Sequence, residues 1–369
     1  CGFELARNSA TVQDIRLTLG HKRLKNAKQY VEKIFEQSVL PESIPKVRTM
    51  GRENDHTPLV ESSLTLKIPA STANLGPGLD SLGLALTAYT YITFELLKKN
   101  YPDIPRISLM GEIATISQSR DQGDLIHTIL KKLCGKTEMF NRLRITVDSD
   151  IPLGCGLGAS GAAILGAVWA NQVLKGEVPT RSNLLALATD IEGHPETMAA
   201  SLSGGLTICA IEKNNVFTQK VPWPEDWHII VVIPPYSLTT PVARSVLPKD
   251  VSMDDAIYNV QRAALLVGAV WQADERTMSA AMKDRLHESY RTNLVPELSQ
   301  LRKALKLSPI IGCVLSGAGS SILVVVRERH KAEVSESINK WIEHSSRGCR
   351  LLSLQVDQDG MQELMFSRR

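Results

Sequence analysis

The sequence predicts an α+β protein, with strand runs and helix runs segregated rather than interleaved as parallel βαβ units. Three observations carry that prediction. Strand-like and helix-like runs alternate irregularly from Leu64 onward, an Ala-rich apolar helix follows a glycine-rich loop near the middle, and a strand pair flanks a glycine turn near residue 318.

Taken in order, Ser63 to Ile68 and Tyr91 to Leu97 have strand character, as does Leu143 to Val147. Ser160 to Leu174 is apolar, Ala-rich and free of proline, which predicts a buried helix, and Leu184 to Ile191 begins a second. Strands are expected at Leu206 to Ile211 and His228 to Ile233. A long helix covers Asp254 to Trp271 and another Thr277 to Leu286. Ile311 to Ser316 and Ser321 to Val326 form the pair around the glycine turn, His330 to His344 is a helix, and Leu351 to Val356 is expected as the final strand. No internal repeat or low-complexity tract interrupts this series.

Length and composition limit the function classes. A chain of 369 residues, 43% hydrophobic and 22% charged, has an ordinary globular composition and room for two or three structural units. No apolar window of 18 to 20 residues and no basic-then-apolar leader is seen, so the expectation is a cytoplasmic protein with no membrane partner. The six cysteines are too far apart for a CxxC or Cys/His cluster, so they are expected to be reduced and buried, with no zinc site. The net charge of +3 is concentrated at the front: residues 1–50 hold nine Lys/Arg against five Asp/Glu, and the rest hold 33 against 34. The bulk of the chain therefore has no general attraction for polyanions.

Residues 1–49 read as a short helical extension, with apolar helical spacing at Val12 to Leu19 and Ala27 to Phe35, and residues 50–63 as a polar linker. The chain begins with Cys1 while Met50 offers a start, so the extension is expected to be a truncated upstream domain, a fusion or a gene-model artefact.

Ile151 to Gly161 carries the strongest chemical signal. It follows a predicted strand and opens a helix, and four of the eight residues from Gly154 to Gly161 are glycine. Glycines let the backbone approach an anion closely, and the free N–H groups and dipole of the following helix favour negative charge. No lysine follows as in GxxxxGK[ST], and the fit of Gly154, Gly156 and Ala159 to GxGxxA lacks a well-placed acidic partner. Taken alone, the loop is either an anion cradle or a tight structural turn.

The run Pro152 to Ala163 resembles the PxxxGLGSSGAA loop of the GHMP kinases. Two further motifs stand in the order of that family: Pro69 to Gly83 (PASTANLGPGLDSLG) and Leu315 to Ser321 (LSGAGSS). The resemblance covers about 300 residues, from 64 to the end. Within the family, Ile191 to Thr197, Tyr258 to Arg262, Thr240 to Pro248 and Asp284 to Arg291 are most similar to homoserine kinase segments. The resemblance implies a two-domain fold: a ribosomal-protein-S5-like, ATP-binding N-terminal domain over 64–225 and a ferredoxin-like C-terminal domain over 226–369. It implies ATP and Mg²⁺ as cofactors, L-homoserine as the small-molecule acceptor, and a place in threonine biosynthesis. A homodimer is the family-typical expectation.

Site residues follow by position in those motifs. Pro152, Leu153, Gly154, Cys155, Gly156, Leu157, Gly158, Ala159, Ser160, Gly161 and Ala162 would hold the nucleotide, with Gly317 and Gly319 packing close to it. Ser160 and Glu192 would hold Mg²⁺. Arg244 and Arg291 suit a carboxylate, which a guanidinium grips bidentately. Asp80 suits an ammonium, with Asn74 beside it, while His194 and Thr197 complete the acceptor pocket. Thr240, with Arg244, is expected at the reacting hydroxyl and γ-phosphate. Phosphoryl transfer needs mainly positioning and charge stabilisation, so no strong base is required.

Three departures from the family pattern stand out. Glu196-Thr197 replaces an Asp-Asn pair, Ala159 replaces the first loop serine, and Ser320-Ser321 replaces Pro-Thr. The first bears on the acceptor, so a kinase for another small alcohol, such as mevalonate, is the alternative. Separately, Asp14 to Tyr30 resembles the C-terminal end of tyrosine recombinases, with His21 and Tyr30 at the motif's nine-residue spacing. That family's preceding catalytic arginines and lysine have no counterpart here, so a recombinase remnant with no functional nucleic-acid partner is expected.

Overall fold

The computed structural model describes residues 60–101, 106–115, 121–134, 138–174, 176–213, 215–344 and 348–368. The expected helical extension, its recombinase-like segment and most of the linker lie outside the described residues.

The chain opens with a long antiparallel pair, β1 (Val60–Asn74) and β2 (Gly78–Leu97). β3 (Ile107–Gly111) follows, then helix α1 (Asp121–Cys134), then β4 (Leu143–Ser149), which pairs parallel with β3 and antiparallel with β2. Helices α2 (Ala159–Leu174), α3 (Arg181–Glu192) and α4 (Glu196–Ser203) come next, and then the hairpin β5 (Leu206–Glu212) and β6 (Asn215–Val221). β7 (Trp227–Ile233) begins a second sheet. After it come helices α5 (Met253–Gln272), α6 (Glu275–Ala281) and α7 (Pro296–Ala304), strands β8 (Ile310–Leu315) and β9 (Ile322–Arg327), helix α8 (Lys331–His344), and β10 (Arg350–Leu354). The last strand, β11 (Gln362–Arg368), leaves that neighbourhood and pairs antiparallel with β1.

The first sheet therefore has seven strands along the path β11-β1-β2-β4-β3, with β5 and β6 attached beside β2. The second is a four-stranded antiparallel sheet, β10-β7-β9-β8. Strand alternation sorts the side chains into layers. Leu66, Ile68, Ile92, Phe94, Ile145 and Val147 face α1, α2 and α3 across one apolar layer. Leu84, Leu86 and Leu206 meet Ile229, Val231 and Val325 between the two sheets. Ile230, Val232 and Val324, on the opposite face of β7 and β9, pack under α7 and α8. Burial on both faces explains why β7 is an unbroken apolar run (WHIIVVI).

Three expectations need correction. The strands expected at Ser63 to Ile68 and Tyr91 to Leu97 are much longer, β1 and β2 extending through the motif Pro69 to Gly83 on both sides of a tight turn. Pro69 is tolerated there because β1 makes its last pair with β11 at Lys67, and a register shift against β2 falls at Pro69/Ala70. The helix expected over Thr277 to Leu286 ends at Ala281, where the chain turns so that Asp284 can cap the following backbone. Leu351 to Val356 is followed by a further strand, β11.

Candidate active site

The glycine-rich loop is built by its neighbours. Four successive carbonyls turn into the protein: Gly154 O accepts from the Leu238 N–H (2.8 Å), Cys155 O from the Ser321 N–H (3.0 Å), Gly156 O from the Ser316 hydroxyl (2.7 Å), and Leu157 O from the Ser71 N–H (3.2 Å). None of the N–H groups from Gly156 to Gly161 donates to a backbone carbonyl; the first helical bond runs from the Ala162 N–H to Gly158 O. The loop thus offers a row of donors at the start of α2, the arrangement that binds anions. Gly156, at φ +82°, is obligatory: a Cβ there would stand 2.2 Å from Ser316 O. Burial pushes the Cys155 thiol up to about 11, so this loop cysteine remains a neutral thiol.

The other two motifs clamp this loop. Ser316 Oγ donates to Gly156 O and also lies 2.8 Å from Thr72 Oγ1, and the Gly317 N–H donates to Ala73 O. At the β1–β2 turn, Asn74, Leu75, Gly76 and Asp80 all adopt positive φ, which Asn, Asp and Gly tolerate. Asn74 Nδ2 donates to Gly317 O (2.9 Å), and the Asp80 N–H donates to Asn74 Oδ1 (3.1 Å).

Beside these motifs lies a charged network. Asp80 and Arg244 form a bidentate pair, Nη1 to Oδ2 at 3.0 Å and Nη2 to Oδ1 at 2.7 Å, which raises the guanidinium above its usual value. Arg291, only 2% exposed, donates to Ala243 O and Gly317 O. His287 Nε2 stands 2.7 Å from Gly76 O and must donate to it, so Nδ1 is assigned as the acceptor from Arg291 Nη1 (3.1 Å). Burial, then the nearby Arg244, hold the Arg291 guanidinium below the usual arginine value. Asp284 supports this corner: its carboxylate accepts from Asn259 Nδ2 and from the N–H groups of Leu286, His287 and Glu288. Burial alone would raise Asp284, but His287 and these donors outweigh it and hold the carboxyl below its usual value.

A third group sits at the start of α2. Ser160 Oγ donates to Glu192 Oε2 (3.3 Å), Glu192 Oε1 lies 4.0 Å from His194 Nε2, and His194 Nδ1 lies 3.1 Å from Glu196 Oε1. Glu196 is 3% exposed and raises the His194 imidazole above its usual value, outweighing burial. Glu196 Oε2 has no hydrogen-bond partner. Glu192 and Ser160 together present a carboxylate and a hydroxyl, the hard oxygen donors that suit Mg²⁺.

One cleft of about 680 Å³ joins all three groups. It is lined by Asn74, Asp80, Pro152 to Gly161, Glu192, His194, Thr197, Thr240, Arg244, Arg291, Gly317 and Gly319, so nearly every residue expected from the motifs meets in one place. Ala162 is the exception and lies fully buried beneath the loop. Thr240 is half-buried and opens the short helix Thr240–Ser245 at the cleft wall. Sequence reasoning missed Glu196 as the partner of His194, the Tyr236 to Thr239 wall segment and Arg350. Glu196 stood inside a quoted motif, whereas Arg350 carries no local signal.

Known proteins share this sequence pattern. Residues 124–205 match the GHMP kinases N terminal domain, and residues 266–344 match the GHMP kinases C terminal domain. The homoserine kinase of Caldanaerobacter subterraneus is 36% identical over 298 residues, covering 80% of this chain and 94% of that protein. That degree of identity over most of both chains decides the family. This chain is a GHMP kinase. A homoserine kinase of Clostridium botulinum is 32% identical over 296 residues, covering 80% of this chain and 96% of its own. Among solved structures, the Cytophaga hutchinsonii homoserine kinase superposes with a TM-score of 0.69 at 24% identity, covering 82% of this chain and 97% of that one. A mevalonate kinase superposes with a TM-score of 0.57 at 16% identity, covering 80% and 100%. Both support the fold, the two-domain α+β architecture of GHMP kinases. The protein is accordingly an ATP-dependent small-molecule kinase. No helix among the described residues is long and apolar enough to cross a membrane.

Proposed function

We propose that this GHMP kinase transfers the γ-phosphate of ATP to the hydroxyl of L-homoserine, the step that commits homoserine to threonine biosynthesis. The observation that carries the reading is the single cleft that the loop Gly156 to Gly161, with its free N–H row, shares with the bidentate Asp80–Arg244 pair and the buried Arg291. A zwitterionic amino alcohol suits such a two-signed end: its carboxylate can compete for Arg244 and Arg291, and its ammonium for Asp80. Mevalonate has no ammonium to replace Arg244 on Asp80.

The chain's own residues then act by placement. The loop donors hold the phosphates. Asn74 fixes the Asp80 backbone, and Thr197, beside Gly161, would contact the acceptor. Thr240, which lines the same cleft, would contact the transferring group. Ser160 and Glu192 fit a Mg²⁺ ion, which when bound neutralises charge on the phosphates. In this reading the segment from 226 onward contributes Thr240, Arg244, Arg291, Gly317 and Gly319 to a nucleotide domain that begins near 64, while β11 crosses back to complete the sheet of that first domain, so the expected single boundary at 225/226 does not hold for the last strand.

The test is a coupled ADP-release assay with Mg-ATP and L-homoserine, mevalonate or shikimate. Turnover stimulated by homoserine alone, and abolished by chelating the divalent cation, is expected. No stimulation by homoserine sinks the reading.

A further inference from the structure

The cleft calls for more positive charge than its loop supplies. The N–H row of Gly156 to Gly161 offers dipoles, and no lysine follows the loop. A triphosphate carries several negative charges, which phosphoryl transfer requires to be stabilised. Among the described residues, the arginines and lysines that line the cleft are Arg244, Arg291 and Arg350. Arg244 is gripped by Asp80, and Arg291 is buried against Ala243 O, Gly317 O and His287. Arg350 has no part in that network.

The fold carries Arg350 to the front of the loop. It opens β10 and pairs in the ladder with Ile233, the last residue of β7. Ile233 also lines the cleft, and the segment after it fastens the loop, since the Leu238 N–H donates to Gly154 O. The Arg350 charge acts on the Cys155 thiol, as one of the smaller influences opposing burial there.

The hold on its side chain is partial. Arg350 meets Glu112, which opens the helical turn Glu112–Thr115 after β3 and does not itself line the cleft. Both bonds to that carboxylate, at 3.1 Å each, leave from Nη1. The Nε–Nη2 edge makes no hydrogen bond among the described residues. Such an edge presents two parallel donors, the geometry that matches two phosphate oxygens. The side chains of Arg350 and Glu112 are 52% and 36% exposed, so their pair is screened and adds little to stability.

We infer that Arg350 binds the phosphate chain of ATP through its Nε–Nη2 edge, while Glu112 fixes the orientation of the guanidinium from outside the cleft. β10 belongs to the second sheet, whereas the loop follows β4 of the first. The nucleotide is thereby clasped from both, with backbone dipoles on one side and a full charge on the other.

The inference rests on the loop holding ATP and not on which alcohol receives the phosphate. Titration calorimetry of the full chain with Mg-ATP, with no acceptor present, tests it. Arg350→Gln is expected to raise the dissociation constant about tenfold, and at least about fivefold, for the loss of one charge-assisted pair partly open to water. Glu112→Gln breaks the same salt bridge but leaves an amide oxygen for Nη1, and is expected to raise it less than about fivefold. A loss that came only from the pair's contribution to the fold would appear in both variants. The gap between wild type and Arg350→Gln is also expected to narrow as KCl rises from about 50 to about 500 mM, because salt screens an exposed charge. A wild type that binds no Mg-ATP removes the nucleotide reading of the loop, and the inference with it. Three results overturn the inference alone: Arg350→Gln within fivefold of wild type, a Glu112→Gln loss as large as that of Arg350→Gln, or a gap that salt leaves unchanged.

Discussion

Replacing Gly156 with alanine separates a phosphate cradle from an ordinary tight turn. The backbone there stands at φ +82°, which costs a residue with a Cβ roughly 1–2 kcal/mol. The new methyl would lie 2.2 Å from Ser316 O and 2.9 Å from Gly319 O, both backbone atoms that no rotamer change can move. Restoring normal contact needs a shift of about 1 Å between the loop and the third motif, a repacking of about 1–3 kcal/mol. The stability loss should therefore total about 2–5 kcal/mol in urea unfolding. The same shift displaces the N–H donors, and a misplacement of that size costs about 100-fold in rate, or about 2.7 kcal/mol. Gly348→Ala is the matched control: its φ is +61°, but an added Cβ meets nothing within 4 Å, so only the conformational term applies. We expect kcat/KM for ATP to fall about 100-fold in Gly156→Ala and to stay within about threefold of wild type in Gly348→Ala. If the two variants have equal activity, the contact between loop and third motif does not position a nucleotide.

Two further predictions concern the acceptor end. Asp284→Ala is expected to cost about 2–4 kcal/mol near neutral pH, because it leaves Asn259 and three backbone N–H groups without their acceptor. Since the folded Asp284 carboxyl is held below its usual value, this stabilisation is complete above the unfolded value, about 3.9, and is lost as pH falls through the folded one. The gap between wild type and variant should therefore narrow in acid, and a gap that stays constant down to pH 3 contradicts the network. Thr197→Asn restores an amide where only one hydroxyl now stands, and is expected to preserve turnover or lower the KM for homoserine; a large loss would mean a pocket built for another alcohol.

The residues that could be found from sequence are those whose signal is local. The glycine loop, the Ala-rich α2 and the apolar β7 announce themselves through backbone freedom and burial on all sides. The reach of β1 was not legible past Ile68, because Pro69 and Asn74 have low strand propensity, although β1 carries both up to the tight turn at Gly76. Helix α1 was legible in principle, since Ile126, Ile129, Leu130 and Leu133 repeat at helical spacing, yet it was missed. β3 and β6 are short or polar, and β11 depends on a partner at the other end of the chain. The same limit applies in the site. Motifs brought Asp80 and Arg244 forward separately, for an ammonium and a carboxylate, and only the fold shows them gripping each other across 164 positions. Glu196 was visible as a departure, but its burial against His194 arises from the packing of α4.

The return of β11 to β1 has a consequence for how the chain comes into being. Ser62 pairs with Arg368, so β1 must wait for about 300 further residues to be synthesised before that side of it is hydrogen-bonded. At about 5–20 residues per second, that wait is roughly 15–60 s. During it the nascent first sheet holds an open strand edge on the ribosome, while the glycine-rich loop is already complete in sequence. Release of the last strand both seals the sheet and ends the interval in which neighbouring nascent chains could pair with it.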